Sequence, residues 1–242
     1  MKDEIPRMPP ARSITVVYIE TREPKQEIVD RCLASVPGAI VQLYTRPERK
    51  LLRCENHVPP DGMLASESSW RFLSHLTRFI LHDVPARVRT SHILFVQNDG
   101  YPINPASWTD QFFGYDYLGA PVRWEDWLHL LRPGVPYRAY YVKDFWEVGN
   151  GGFSLRSVAL LRQCSQLMQD AFAGRDDLYG LWEDFLICKV LRPHLRGVKF
   201  GEFDIAKRFS CEQYDAFAGE RPFGFHAGGD VPMLVEHALP LI

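Results

Sequence analysis

The chain has 242 residues, 46% of them hydrophobic and 24% charged, with a formal net charge of −2 from 28 basic and 30 acidic residues. This is a globular composition, long enough to bury a full core, and its charge balance excludes a global field for nucleic acid or an anionic bilayer. No apolar run approaches the ~18 residues of a membrane span, and the opening MKDEIPRMPPARS lacks the apolar centre of a signal peptide.

The cysteines Cys32, Cys54, Cys164, Cys188 and Cys211 are odd in number, far apart and without a C-x-x-C pair. A disulfide framework or structural zinc site is not expected, and a cytoplasmic location is the simplest inference, with peripheral attachment to a membrane left open.

In chain order, the β-branched run Ile14 to Ile19 reads as a buried parallel strand. Ile28, Val29, Cys32 and Leu33 recur at helical spacing, and Ala39 to Tyr44 reads as a second strand, so the chain opens as a βαβ unit. The basic stretch 46–53 reads as a solvated connection. Ser68 or Ser69 is placed to cap a helix carrying Trp70, Leu73, Leu76, Phe79 and Ile80, closed near Pro85. His92 to Val96 is a strand running into Gln97, Asn98, Asp99 and Gly100. Tyr115 to Ala120 is a further strand stopped by Pro121, and 123–141, rich in aromatics and proline, reads as an irregular loop over a site. Val158, Leu161, Cys164, Met168 and Phe172 mark one helix; Leu181, Phe185, Cys188 and Leu191 mark another, ended by Pro193. Val198 to Phe203 reads as a late strand. No repeat or low-complexity linker interrupts this order, which predicts one α/β domain with a mixed sheet.

The densest local signal is VGNGGFSLR, Val148 to Arg156. Gly149, Gly151 and Gly152 can take positive φ or let a ligand touch the main chain, and Asn150 offers a donor and an acceptor. A turn between strand and helix is the competing reading. Neither the G-x-x-x-x-G-K-[ST] nor the G-x-G-x-x-G fingerprint is present.

Four acidic or basic positions carry candidate chemistry. Asp99 directly follows a strand, at the carboxyl edge where open α/β sheets place ligands and where one carboxylate can share Mg²⁺ or Mn²⁺ with a diphosphate; an Asp-Gly turn is the commoner use of that dipeptide. Glu183 and Asp184 open a helix, where one acid complements the dipole and a second is available to take a proton from a hydroxyl. His226, in Pro222-Phe223-Gly224-Phe225-His226 beside Gly228 and Gly229, suits either a packed histidine or a flap that closes over a bound group. Trp124, Trp127, Tyr137, Tyr140 and Trp146 suit stacking on a ligand or a loop core equally.

The order Q-x-D-G, YDYLGAP, VGNGGFSLR, WEDF and FGFH, from Ile14 to His226, resembles a family of small bacterial and eukaryotic proteins labelled only as a domain of unknown function. That family is in turn similar to the nucleotide-sugar-dependent GT-A glycosyltransferases. VGNGGFSLR is the most specific of these motifs, whereas WED and FGFH are weak alone. The resemblance implies a single GT-A-like domain over 1–242. Its mixed, mostly parallel sheet is flanked by helices, with a Rossmann-like nucleotide-sugar half near 12–100 and an irregular acceptor and catalytic half near 101–230.

It further implies donor binding by Glu20, Thr21, Arg22, Gln97, Asn98 and Asp99, and acceptor binding by Trp146, Asn150, Gly151 and Gly152. Asp184, with Glu183 second, would be the base of an inverting transfer, and Asp99 and His226 would hold a divalent cation, Mn²⁺ or Mg²⁺. Gln97 stands where the first acid of Asp-x-Asp belongs, which weakens the case for the cation; Arg156 could then balance leaving-group charge. The implied partners are a UDP-sugar or related donor and a glycan or glycolipid acceptor. The rival readings are a non-catalytic glycan- or nucleotide-binding domain, and a nucleotidyltransferase or sugar-nucleotide hydrolase on a related scaffold.

Overall fold

The computed structural model describes residues 13–65, 70–124, 147–212 and 221–226. Its strands are β1 (Ile14–Ile19), β2 (Ile40–Tyr44), β3 (Glu55–His57), β4 (His92–Val96), β5 (Gly100–Pro102), β6 (Tyr117–Leu118), β7 (Pro121–Val122), β8 (Glu147–Val148), β9 (Ser154–Ser157), β10 (Ser210–Cys211) and β11 (Gly224–His226). Six of them form the central sheet, in the order β3-β2-β1-β4-β9-β6. The first four of that order run parallel, and β9 lies antiparallel between β4 and β6. The fold is therefore mixed α/β with a mostly parallel sheet flanked by helices. Because β2 lies on one side of β1 and β4 on the other, the strand order reverses between β1 and β4. A crevice opens at the carboxyl ends of strands at such a reversal.

β1 and β4 are apolar because they are covered on both faces: Val16, Val17, Ile93 and Leu94 are fully buried. Helix α1 (Gln26–Ser35) buries Ile28, Val29 and Cys32 at helical spacing, and the i,i+4 pair Glu27–Arg31 lies on its outer side. Helix α2 (Asp61–Ala65), which carries no strong periodic signal, precedes α3 (Trp70–Arg78). The long apolar pattern then continues through a π-helical turn, Phe79–Asp83, into α4 (Val84–Arg87). Pro85 thus falls inside the first turn of α4, where a missing N–H is tolerated, and the helical run ends at Arg87. The expected caps Ser68 and Ser69 lie outside the described residues.

After β9, Ser157 caps α5 (Val158–Gln169), its hydroxyl accepting from Leu160 N at 3.0 Å. Val158, Leu161, Cys164 and Met168 are buried as their spacing predicts, and Phe172 lies beyond the helix end. The second apolar stretch is less regular than one helix: a 3₁₀ turn at Asp176–Gly180, a short α6 (Glu183–Phe185), a π-helix at Leu186–Leu191 and a 3₁₀ turn at Arg192–His194. Every residue of that π-helix is buried, so packing on all sides, rather than an amphipathic stripe, sets its geometry.

Three sequence-based boundaries are corrected. Tyr115 to Ala120 contributes only two residues of strand, and Pro121 does not stop pairing but opens β7, whose short edge position needs no N–H from it. Val198 to Phe203 is not a strand: Phe200 makes an isolated bridge to Tyr117, Gly201 N donates to Tyr117 O, and Phe203 already begins α7 (Phe203–Phe209). FGFH is not a flap, since Gly224, Phe225 and His226 form β11 between β10 and β5; Gly228 and Gly229 lie outside the described residues. All five cysteines are free and four are buried, as small hydrophobes are. Among the described residues no helix is long and apolar enough to cross a membrane.

The β11 layer is tied to the main sheet by aromatic packing. Phe153 stacks on Phe209 at 5.1 Å, Phe112 meets Phe209 edge-on at 5.2 Å, and Phe223 lies 5.9 Å from Phe209. All four rings are fully buried. Phe209→Ala is expected to destabilise the fold by about 3–5 kcal/mol, read from chemical denaturation with an unchanged denaturant slope. A loss under about 1 kcal/mol would show that the cluster can collapse into the space.

Candidate functional site

The loop after β1 and the loop after β4 face each other across the strand-order reversal and line a cleft of about 570 Å³. Glu20, Thr21, Arg22, Gln97, Asn98 and Asp99 all line it, together with Lys25, Phe72 and Leu76. Several of these side chains build the wall rather than present themselves. Glu20 Oε1 accepts from Arg22 N at 2.6 Å and from Glu23 N at 3.3 Å, turning its own loop. Asn98 is engaged at both ends of its amide: Tyr18 OH donates to Oδ1, and Nδ2 donates to Glu23 O at 3.0 Å. Tyr18 OH in turn accepts from Lys25 N at 2.9 Å, so one buried phenol pins both loops. Burial raises its pKa and keeps it a neutral donor.

Gln97 and Gly100 exchange backbone hydrogen bonds at 2.8 and 3.1 Å, so Gln97 to Gly100 is indeed a turn. That turn also carries Asp99 out to 57% exposure, with Oδ1 3.6 Å from His226 Nε2. The expected Asp-Gly turn is present, and it is what aims the Asp99 carboxylate toward His226.

Gln97 and Leu76 are shared with a second cleft of about 280 Å³. Asn150, Gly151, Gly152, Glu183, Asp184, Glu212 and His226 form its polar side, and Val122, Trp124, Trp182, Leu73 and Leu76 its apolar side. Asn150, Gly151 and Gly152 are thus brought together with Glu183 and Asp184. Trp146 lies outside the described residues, as do Trp127, Tyr137 and Tyr140. Trp124 is 4% exposed and meets Phe185 edge-on at 5.4 Å, so most of its ring fills the core.

The glycine cluster works differently from its expected role. Of its four residues 149–152 it is Asn150, not a glycine, that takes positive φ, at 72°. Asparagine tolerates this conformation better than most residues, and here its Oδ1 accepts from Gly152 N at 3.0 Å and Phe153 N at 3.3 Å. The neighbouring glycines are needed for space. A Cβ on Gly151 would stand 2.1 Å from Glu183 Oε1, and one on Gly152 would stand 2.1 Å from His226 Nε2. The main chain is therefore a floor on which the side chains of Glu183 and His226 rest.

Electrostatics separate the two acids of α6. Glu183 Oε1 accepts from Arg156 Nη2 at 2.8 Å. Asp184 Oδ1 accepts from Phe185 N at 2.8 Å. Burial, with the charges of Glu183 and Glu212 adding to it, pushes the Asp184 pKa up to about 7, against a smaller lowering by Arg156. His226 Nδ1 donates to Glu212 Oε1 at 3.2 Å. Burial pulls the imidazole pKa down, but the Glu212 hydrogen bond and charge, then Asp99 and Asp184, outweigh it and raise the pKa above the ordinary value.

Lys25, Arg156 as an ion-pair partner and Glu212 were not assigned these places from sequence. Lys25 had a usable signal, its position in the loop after β1. Glu212 had none, because it meets His226 only through the pairing of β10 with β11.

Among the described residues no group of three or more His, Cys, Asp or Glu is placed to hold a metal ion. Asp99 and His226 do fit a smaller role. The carboxylate stands beside Nε2, and Glu212 occupies Nδ1, the carboxylate–histidine arrangement that orients metal-ligating imidazoles. Two protein ligands suit a divalent ion whose remaining positions are taken by phosphate oxygens and water.

Among the solved structures similar to the chain are two at 10% identity. One, titled as a glycosyltransferase involved in the glycosylation of the major capsid of PBCV-1, has a TM-score of 0.46 over 93% of this chain and 98% of that one. The other, the apo-form glycosyltransferase GlyE in Streptococcus pneumoniae TIGR4, has a TM-score of 0.43 over 90% of this chain and 55% of that one. Likenesses this loose assign no activity. No curated protein matches the chain. Residues 81–226, which run from the π-turn before α4 through β4, the glycine floor and α6 to His226, match the model of the family described as Protein of unknown function (DUF5672), and the chain belongs to that family.

Proposed function

We propose that the protein is a glycosyltransferase, moving a sugar from a nucleotide-sugar donor to the hydroxyl of a glycan or other acceptor with inversion. The observation that carries this reading is the junction at Gln97. There a cleft at the strand-order reversal, the usual seat of a nucleotide in open α/β sheets, meets a second cleft lined by the buried carboxylate of Asp184, whose proton affinity burial raises.

In this reading the donor lies in the larger cleft, its diphosphate toward Asp99 and Lys25, and the acceptor enters the smaller one. The acceptor oxygen attacks the anomeric carbon while Asp184 takes its proton. The bond from that carbon to the diphosphate oxygen breaks, and its electron pair leaves with the nucleoside diphosphate. One displacement inverts the centre. A base with a pKa near the working pH is the most effective compromise between being deprotonated and being basic. Trp182, Leu73 and Leu76 line the acceptor side and restrict water, which would otherwise compete as acceptor. Asp99 and His226 would hold a Mn²⁺ or Mg²⁺ ion, which when bound supplies positive charge to the leaving diphosphate.

Calorimetry with UDP, with and without Mn²⁺, tests the donor half. Wild-type protein is expected to bind UDP more tightly with Mn²⁺. Asp99→Ala is expected to lose about tenfold or more of that gain, the scale on which metal sites respond to lost partners. Metal-independent binding that is indifferent to Asp99 would remove the cation from this reading.

A further inference from the structure

Two adjacent carboxylates, Glu183 and Asp184, stand in one turn at one cleft, and nothing in their local sequence says which should accept a proton. Their difference comes from β9. Arg156 is fully buried. Its guanidinium lies 4.6 Å from the Phe95 ring and 5.1 Å from the Tyr117 ring, on the two strands that flank β9. Nε donates to Ser154 Oγ at 3.1 Å, and Nη2 donates to Glu183 Oε1 at 2.8 Å. The carboxylate it holds is the one that rests on Gly151. A cation clamped between aromatic rings on adjacent strands cannot follow a mobile partner, so it fixes Glu183 in place. Among the described residues, Asp184 Oδ1 accepts the backbone hydrogen bond from Phe185.

We infer that Arg156 is a positioning residue that commits Glu183 to a permanent ion pair and so makes Asp184 the carboxylate that exchanges the acceptor's proton. This inference rests on the transferase reading above. Among the described residues, the ionisable groups that act on Asp184 include Glu183 on its own helix, Glu212 after β10, His226 on β11, Arg156 on β9, Tyr117 on β6 and Cys188 in the π-helix. Of these only Arg156 is a permanent cation, and its removal takes fixed support from the carboxylate form of Asp184.

The test is a ¹³C titration of labelled Asp and Glu carboxyls, assigned with Asp184→Asn, alongside the pH profile of transfer. In Arg156→Met the Asp184 midpoint is expected to rise by about one pH unit or more, and in Glu183→Gln, where a like charge disappears, to fall by a similar amount. The lower limb of the rate profile should move with each midpoint. Should Arg156→Met fail to fold, Arg156→Lys serves: it keeps the charge but not the planar fork, and a smaller upward shift is expected. An Asp184 midpoint unchanged in folded Arg156→Met or Arg156→Lys, with only stability reduced, would make Arg156 merely structural and overturn the inference. If the midpoints move as stated but no donor supports transfer, the transferase reading fails while the division between the two carboxylates stands.

Discussion

Asp184→Asn is expected to lower transfer by about 10²–10⁴-fold, the usual contribution of a positioned base, while making the folded protein more stable above neutral pH. The second half follows from the sign of the linkage. The Asp184 pKa is raised to about 7 in the folded state, against about 4 for an unperturbed carboxyl. Between those values the native chain retains a proton that the unfolded chain has lost, so stability is full below about pH 4 and declines as pH rises toward 7. The amide carries no such charge and keeps its size. At pH 8 the variant should melt higher, by about 2–4 °C for each kcal/mol recovered in a chain of this length. The paired result distinguishes a catalytic base from a structural acid, since losing a structural partner lowers stability. A variant with unchanged turnover, or one that is both inactive and less stable at pH 8, would argue against the role given to Asp184.

Gly152→Ala is expected to cost about 10²-fold in kcat/KM through a single methyl group far too small to fill a cleft. The added Cβ would stand 2.1 Å from His226 Nε2 and 2.2 Å from its Cδ2. Gly152 does not have positive φ, so the backbone itself tolerates alanine. The imidazole must therefore move, breaking its alignment between Asp99 and Glu212. The same change at Gly151 strikes Glu183 Oε1 and should instead loosen the ion pair with Arg156, lowering stability along with activity. Circular dichroism of the Gly152→Ala variant should resemble wild type, its melting should fall modestly as the His226–Glu212 hydrogen bond is lost, and its Mn²⁺-dependent gain in UDP affinity should shrink. Full activity in Gly152→Ala would mean that the position of His226 does not matter to the reaction.

The parts of the fold that were legible are those whose burial is written in a local sequence pattern. The apolar runs of β1, β2 and β4, and the helical spacing of α1 and α5, carry their burial in their local pattern. β9 and β6 do not, because strands of four and two residues lie too close to glycines and turns for alternation to register. The stretch 181–191 reads as an ordinary helix from its apolar spacing, yet burial on every side lets it widen into a π-helix, which spacing cannot report.

The candidate site divides along the same line. Asp99 was legible because a strand end fixes where a following acid must lie, and Glu183 and Asp184 because a helix start does the same. Their contacts were not, since Glu183 meets Arg156 and the neighbour of Asp99, His226, meets Glu212, partners that strand pairings distant in sequence bring in. The glycine motif was noticed for the right reason, close approach, but the groups that approach are Glu183 and His226 of the chain itself.

The most direct measurement is acceptor-dependent release of nucleoside diphosphate from a panel of nucleotide sugars with Mn²⁺, in wild type and Asp184→Asn, with the product glycoside identified by mass and anomeric configuration by NMR. The account predicts stoichiometric nucleoside diphosphate and inverted glycoside from wild type, both lost in the variant. Binding of the nucleotide sugar without turnover across the panel, release of free sugar or pyrophosphate in place of a glycoside, or equal transfer by Asp184→Asn would contradict it.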